Sequence, residues 1–368
     1  MRKMIVLKFG GSSVKNDFHE AVSLTKSIFE EKEVAVVVSA LKGITDMLIK
    51  YAKTFDSKYA IKIADSYVKF ARTNGVDPNI LSPHIQELFN PPSLPKDALT
   101  DYILSIGELL SAVIFAEVVE GQVIYPWELF SAYGKFGDGF IDLKKSKKNA
   151  KIIYEVIDSG KIPIVPGFVG GMDGYRVTLG RGGSDYSAVA LGVILNSELV
   201  AIMSNVEGIF TADPKLVPSA RLIPYLSYEE ALIAAKHGMK AIQWKAAELA
   251  KEKKILMLFG RTNNWRMGTV ISNRTSRMPL MTYKDGLLLI NVEEELEYRV
   301  IDEGPFWKLY DVPGNEGIRI IRELHKAIFG NVLSMLQEPG KHIRINRHKV
   351  GKSFEHMTFN QSFSRKFY

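Results

Sequence analysis

Lys8-Phe9-Gly10-Gly11-Ser12-Ser13-Val14 places a lysine, two glycines and two hydroxyls within seven residues. Glycines let a backbone approach a ligand closely, and exposed N–H groups beside an ammonium suit a phosphate. Taken alone, the heptapeptide reads equally well as a Gly-Gly turn after an edge strand. A second stretch, Leu179-Gly180-Arg181-Gly182-Gly183-Ser184-Asp185-Tyr186-Ser187-Ala188, supplies what the first lacks. Arg181 is a forked donor suited to a carboxylate, and the loop joins flexible backbone to one cation, one hydroxyl and one carboxylate. Ser184 or Asp185 can cap the helix that follows, whose N-terminus is another anion site. A third feature is Glu108, a single carboxylate in the apolar helical stretch Leu104–Ala112. Such a group is costly to bury without a partner, which points to a ligand-facing role.

The elements that would position these residues follow a regular grammar. Met4–Leu7 is an apolar run of strand length, and Glu20–Glu31 has helical spacing. Val34–Val38 is fully apolar and β-branched, the mark of a strand covered on both faces. It runs into Ser39-Ala40-Leu41-Lys42-Gly43-Ile44-Thr45 and then another helix. Strand, loop, helix repeated in this way predicts a parallel α/β sheet, with ligands at the carboxyl ends of the strands. Residues 50–100 read as helices around a Pro-rich connection, and Val123–Tyr125 as a short strand. Lys161–Pro166 reads as a strand breaking into a glycine-rich loop at 167–171, and Leu199–Met203 as another covered strand. Asp213-Pro214 signals a turn, and helices are expected over Tyr228–His237 and Lys240–Lys251. Strands at Ile255–Phe259 and Gly268–Ile271 would complete the sheet. From about Met278 the texture changes. Strands at 286–292, 331–336 and 342–346 around a helix over 316–329 suggest a small α+β module.

At 368 residues the chain exceeds the size at which one hydrophobic core usually stops growing. The absence of cysteine excludes disulfides, thiolate metal sites and a cysteine nucleophile. No signal-like region opens the chain and no apolar run reaches the length of a membrane span, so the cytoplasm is the expected location. The net charge of +7 is partly local, because 341–368 carries seven lysines and arginines against Glu355 alone. That tail is read as a solvated terminus in preference to a nucleic-acid surface.

Together these motifs resemble aspartate kinases of the amino-acid kinase family. The matching stretches are Lys8–Val14, Val38–Thr45, Gly107-Glu108, Pro166-Gly167-Phe168, Gly180–Ser187 and Gly208–Pro214, in the family's order across roughly residues 1–272. The resemblance implies an open αβα sandwich with a mainly parallel sheet, holding ATP and a small amino acid. It places Lys8 against the transferred phosphoryl group, with Asp185 orienting it. Gly10, Gly11 and Ser12 would donate to the phosphates. Glu108 would meet the substrate ammonium and Arg181 its α-carboxylate, with Ser39, Thr45 and Ser184 lining the reacting end. Ser204, Asn205, Phe210, Asp213, Pro214, Lys215 and Lys240 fall where the family holds the nucleotide. Mg²⁺ would be bound through phosphate oxygens, with no protein metal site.

Three departures stand out. Asn205 replaces an acidic residue of the family, Phe210 its usual tyrosine, and Gln243-Trp244 its His-Pro. The C-terminal stretch has room for one ACT-like module where the family carries two. The expected organisation is a catalytic domain over 1–275, a reduced ACT-like module over 280–348 and a basic tail over 349–368. The implied activity is phosphorylation of the side-chain carboxylate of L-aspartate by a homodimer. The alternatives are a paralogue using a hydroxyl acceptor such as L-homoserine, and an inactive binding protein on the kinase fold.

Overall fold

The computed structural model describes residues 4–292, 295–314, 316–330 and 343–344. Two compact units emerge, one of residues 1–209 and 222–278, the other of 210–221 and the described residues from Pro279 onward.

The first unit is built on Met4–Phe9, which pairs in parallel with Glu33–Val38 on one side and Leu199–Ser204 on the other. In strand order the eight-stranded sheet runs Tyr225–Ser227, Arg266–Ser272, Met257–Arg261, Leu199–Ser204, Met4–Phe9, Glu33–Val38, Pro163–Pro166, Gln122–Val123. Every neighbouring pair is parallel except Met257–Arg261 with Arg266–Ser272. The chain leaves Met4–Phe9 toward Glu33–Val38 and returns on the opposite side at Leu199–Ser204. The carboxyl end of Met4–Phe9 is therefore the switch point at which open α/β sheets bind ligands.

Alternation along this strand separates its chemistry from its core. Ile5, Leu7 and Phe9 join Val34, Val36, Val38, Leu110 and Phe115 in one buried cluster. Lys8, of opposite parity, turns to the helix Gly183–Ile194. Helices Phe18–Glu31, Ile44–Thr54 and Lys96–Val119 pack in the first group, while Gly183–Ile194, Tyr228–Lys236 and Trp244–Lys253 form a second. The mainly parallel αβα sandwich is as expected.

Several local expectations need correction. The Lys8 motif is not a free-standing turn, because helix Gly11–Asn16 begins directly after Gly10. Of residues 167–171, only 167–168 form a bend and the rest are strand. Val169–Met172 and Tyr175–Thr178 form a hairpin, in which a Cβ on Gly171 would stand 2.2 Å from the Trp127 carbonyl oxygen, too close for any side chain, and one on Gly170 3.0 Å from that of Phe130. Neither Ser184 nor Asp185 caps Gly183–Ile194. The cap position is Gly182 at φ 79°, and both side chains lie in the first turn. The helix expected from Lys240 starts at Trp244, leaving Lys240 in an exposed connection. Lys96–Val119 is long and apolar enough to cross a membrane, contrary to the expectation that no segment would be. It is instead the buried core helix of the unit.

The second unit is α+β, compatible with the small ACT-like module expected there. A four-stranded antiparallel sheet runs in the order Met281–Lys284, Leu287–Ile290, Trp307–Asp311, Arg299–Gly304. Helix Glu316–Phe329 buries Ile320, Ile321 and Leu324 against Leu288, Ile290 and Tyr310. Ala212 and Val217 belong to the same core. His325, fully buried, bridges the hydroxyls of Thr211 and Ser219 at 3.0 and 3.1 Å. Burial is the main reason its pKa is lowered, and the Arg221 charge adds to it. Of the strand expected over 342–346, Ile343–Arg344 is described, paired with Glu295–Leu296. The strand expected over 331–336 and the tail over 349–368 lie outside the described residues.

Candidate active site

Three strand ends and two helices converge beyond Phe9. The Gly10 N–H donates to the Met203 carbonyl at 3.1 Å, the Ser39 N–H to the Phe9 carbonyl at 3.2 Å and the Lys42 N–H to the Gly11 carbonyl at 3.0 Å. These bonds lock the Lys8 junction between its two neighbouring strands. A Cβ on Gly11 would stand 2.3 Å from the Ala40 carbonyl oxygen, so only glycine fits there. A Gly11→Ala substitution is expected to destabilise the protein by about 1–3 kcal/mol, the usual cost of overpacking, read as a lower thermal midpoint. A Cβ on Gly10 would lie 3.6 Å from the Lys8 Nζ, so the bare backbone here is immediately beside the ammonium.

Lys8 Nζ and Asp185 Oδ1 are 2.6 Å apart, with side chains only 11% and 10% exposed. Parity directs the lysine to this helix, and the missing side-chain cap leaves the aspartate free to meet it. Gly167 carries the wall next to them, since a Cβ there would collide with the buried Ser184 at 2.7 Å.

Glu108 enters from Lys96–Val119. Gly107 lets that helix press onto the Ser39–Lys42 loop, where a Cβ would stand 2.9 Å from both the Ala40 Cβ and Leu48 Cδ1. The carboxyl is 3% exposed, and its Oε2 has no hydrogen-bond partner among the described residues. Burial pushes its pKa up to about 8, against the opposing effects of the Ala40 N–H, its own N–H and the Lys8 charge. A carboxyl with one oxygen unsatisfied, within the field of Lys8, has the chemistry to receive a cationic ligand group.

Arg181 stands between two left-handed glycines, Gly180 (φ 84°) and Gly182 (φ 79°). Its guanidinium is 90% exposed and lies 3.5 Å from Asp46, the residue after Thr45. Lys8, Gly10, Gly11, Ser39, Glu108, Ser184 and Asp185 thus gather around one sheet edge, with Arg181 reaching the turn that carries Thr45. Ser12 and Thr45 are half-buried on the helix starts that flank the junction. The residues ascribed to the nucleotide are scattered. Ser204 closes a tight turn by bonding both backbone groups of Val206, each at 3.1 Å, and Asn205 and Lys240 are exposed. Phe210, Asp213, Pro214 and Lys215 belong to the second unit. There Asp213 accepts the Lys215 N–H at 2.9 Å, the turn expected for Asp before Pro.

Two buried charges escaped the sequence reading. Asp101, 1% exposed, accepts from the Gly137 N–H, the Thr178 N–H and the Thr178 hydroxyl, each at 2.8 Å. Burial raises its pKa, and those bonds oppose the rise. Its signal was available, since Asp101, Ser105 and Glu108 recur at helical spacing on an otherwise apolar helix. Lys245 left only a faint signal, a cation among the buried alanines of its helix.

As for the Mg²⁺ implied by resemblance, no group of three or more acidic or histidine side chains converges among the described residues. Asp185, already paired with Lys8, and Glu108, within the field of Lys8, are carboxylates at the junction. This donor set suits an ion held mainly by phosphate oxygens and water.

The comparisons with known proteins agree with this architecture. Aspartokinase 1 of Bacillus subtilis (strain 168) is 31% identical over 280 residues, spanning 74% of this chain and 62% of that one. Lysine-sensitive aspartokinase 3 of Escherichia coli (strain K12) is 30% identical over 300 residues, spanning 76% and 66%. The bifunctional aspartokinase/homoserine dehydrogenase of Buchnera aphidicola is 30% identical over 323 residues, spanning 78% and 39%. The chain thus spans 39% to 66% of the length of these curated relatives. Among solved structures, E. coli aspartokinase III in complex with aspartate and ADP shares the fold. Its TM-score is 0.72 at 21% identity, covering 89% of this chain and all of that one. A model of the amino acid kinase family matches residues 3–260, and with the switch-point lysine, glycine junction and Gly180–Asp185 loop in place, the chain belongs to the amino acid kinase family.

Proposed function

We propose that the protein is an ATP-dependent kinase that phosphorylates the side-chain carboxylate of L-aspartate, giving 4-phospho-L-aspartate and ADP. The observation that carries this reading is the Lys8–Asp185 pair, 2.6 Å apart at the switch point. A side-chain carboxylate oxygen of the acceptor attacks the γ-phosphorus, and the bond from that phosphorus to the ADP oxygen breaks. Charge moves onto the bridging and equatorial oxygens, where a fixed ammonium in a nearly dry site stabilises it. Gly10, Gly11 and Ser12 would donate to the phosphates beside it. Glu108 would receive the α-ammonium and Arg181 the α-carboxylate, leaving the side chain to face Lys8. Mg²⁺, carried in on the nucleotide, would neutralise phosphate charge. The relatives' names support aspartate as acceptor, and a cytoplasmic homodimer is the assembly proposed with it.

Hydroxylamine trapping tests the acceptor. With ATP and aspartate, an acyl phosphate is captured as a hydroxamate, whereas a phosphate ester is not. ADP release dependent on aspartate, with hydroxamate formed in step, is the expected result. Turnover on homoserine without hydroxamate would move the reading to the hydroxyl acceptor, and ATP consumption with no acceptor preference would reject it.

A further inference from the structure

Lys245 is the one buried lysine among the described residues, at 2% exposure. Its Nζ lies 2.6 Å from Asp138 Oδ1, 3.2 Å from the Asp138 carbonyl, 2.9 Å from that of Gly139 and 3.4 Å from that of Leu179. It also sits over the Phe140 ring, 4.0 Å from the centroid. One ammonium therefore gathers acceptors from two separate segments, 138–139 and 179. On the other helix group, Asp101 grips the same two segments through Gly137 and Thr178, and the Gly139 N–H bonds the Thr178 carbonyl at 2.9 Å. Gln243 adds a bond from its Nε2 to the Leu179 carbonyl at 3.0 Å. Burying an ammonium is costly unless its geometry is well satisfied, and here satisfaction comes from backbone that leads straight into Gly180-Arg181-Gly182.

Arg181 has little hold of its own. It is 90% exposed, and its only ion pair among the described residues is the 3.5 Å contact with Asp46. Where its guanidinium stands is set by the backbone behind it. Gly180 is tightly fitted, since a Cβ there would meet Asp138 Oδ1, the partner of Lys245, at 2.6 Å.

We propose that Lys245 is a positioning residue for the acceptor: it holds the Arg181 loop at the height at which the guanidinium meets the acceptor's α-carboxylate, without touching any substrate. The proposal rests on the reading of Arg181 given above. It assigns Lys245, with Asp138, to acceptor affinity and not to nucleotide binding or phosphoryl transfer.

Steady-state kinetics on the full chain, varying aspartate and ATP separately, test it. Arg181→Ala is the reference. An unchanged aspartate KM there rejects the Arg181 reading itself, whatever Lys245 does. Given a raised KM in that variant, Lys245→Met is expected to raise the aspartate KM about tenfold or more, since small misplacements of a binding group carry such effects. The ATP KM and kcat are expected to stay within about twofold, because uniform acceptor binding is what is lost. In the double variant the aspartate KM should be no worse than in Arg181→Ala alone, the non-additivity of residues acting through one group. Additive losses, or equal rises in both KM values, overturn the proposal. Should Lys245→Met fail to fold, Asp138→Asn at a half-exposed position removes the charge partner. The same selective, non-additive rise in aspartate KM is then required of it.

Discussion

Lys8→Met is expected to lower kcat about 10³-fold, the range found when one preorganised charge-stabilising donor is removed from an active site. The KM values for ATP and aspartate should change far less, because the lysine's interaction grows as charge develops on the phosphoryl oxygens. The same change should also weaken the fold. Removing one partner of a buried ion pair leaves the other charge stranded, at a cost of about 3 kcal/mol or more, and Asp185 is only 10% exposed. These two consequences are separable. Lys8→Met combined with Asp185→Asn should recover much of the thermal stability and none of the turnover. Recovery of turnover in the double variant, or an undiminished kcat in the single one, would remove Lys8 from the reaction.

Glu108→Gln has the second-largest expected effect, and its sign depends on pH. The carboxyl's pKa stands at about 8 in the folded protein against an ordinary 4.5. Between those values the unfolded chain has released a proton that the folded chain still holds, so stability falls as pH rises through this window. The stability associated with the proton is fully present below about 4.5 and is gone above about 8. Glutamine mimics the protonated carboxyl and does not titrate. Thermal midpoints of wild type and Glu108→Gln should therefore coincide near pH 4 and diverge toward pH 9, with the variant the more stable, by up to a few kcal/mol. Affinity runs the opposite way. An α-ammonium binds the ionised carboxylate, so the wild-type aspartate KM should fall as pH rises from about 6.5 to about 8. In Glu108→Gln it should be flat with pH, close to the wild-type value near pH 6.5 and about tenfold higher or more at pH 8 and above. A variant that keeps both the KM and its pH dependence would show that the ammonium binds elsewhere.

Much of the first unit was legible because its signals are local and periodic. Apolar β-branched runs gave the central strands, and the Gly180–Asp185 loop announced itself by polar groups too numerous for a simple turn, whereas Lys8–Val14 alone read equally well as a plain turn. The pairing of Lys8 with Asp185 was anticipated through the family resemblance, because the Gly180–Asp185 loop carries a cation of its own in Arg181 and its composition does not single out Lys8 as the aspartate's partner. What escaped has physical reasons. The 169–178 hairpin was hidden by Gly170 and Gly171, which have poor strand propensity, although at 171 only glycine fits against the Trp127 backbone. The Gly183–Ile194 cap was misassigned because Asp185 had a stronger claim on its side chain in Lys8 than in its own helix end. Lys245 was nearly silent because three of its four acceptors are backbone carbonyls, which any residue type supplies. Arg299–Gly304 was missed because the strand is exposed along most of its length and shows no buried alternation.

The cofolding of residues 210–221 with the C-terminal strands bears on how this polypeptide can be cut and inherited. A protein expressed only to residue 278 would keep that segment but lose the strands and helix against which Ala212 and Val217 are buried. Two apolar side chains and the hydroxyls that His325 satisfies would be turned out to water. The first unit cannot be isolated by simple trimming at residue 278. Loss or exchange of the C-terminal module, in the laboratory or by gene rearrangement, would need compensating changes within residues 210–221.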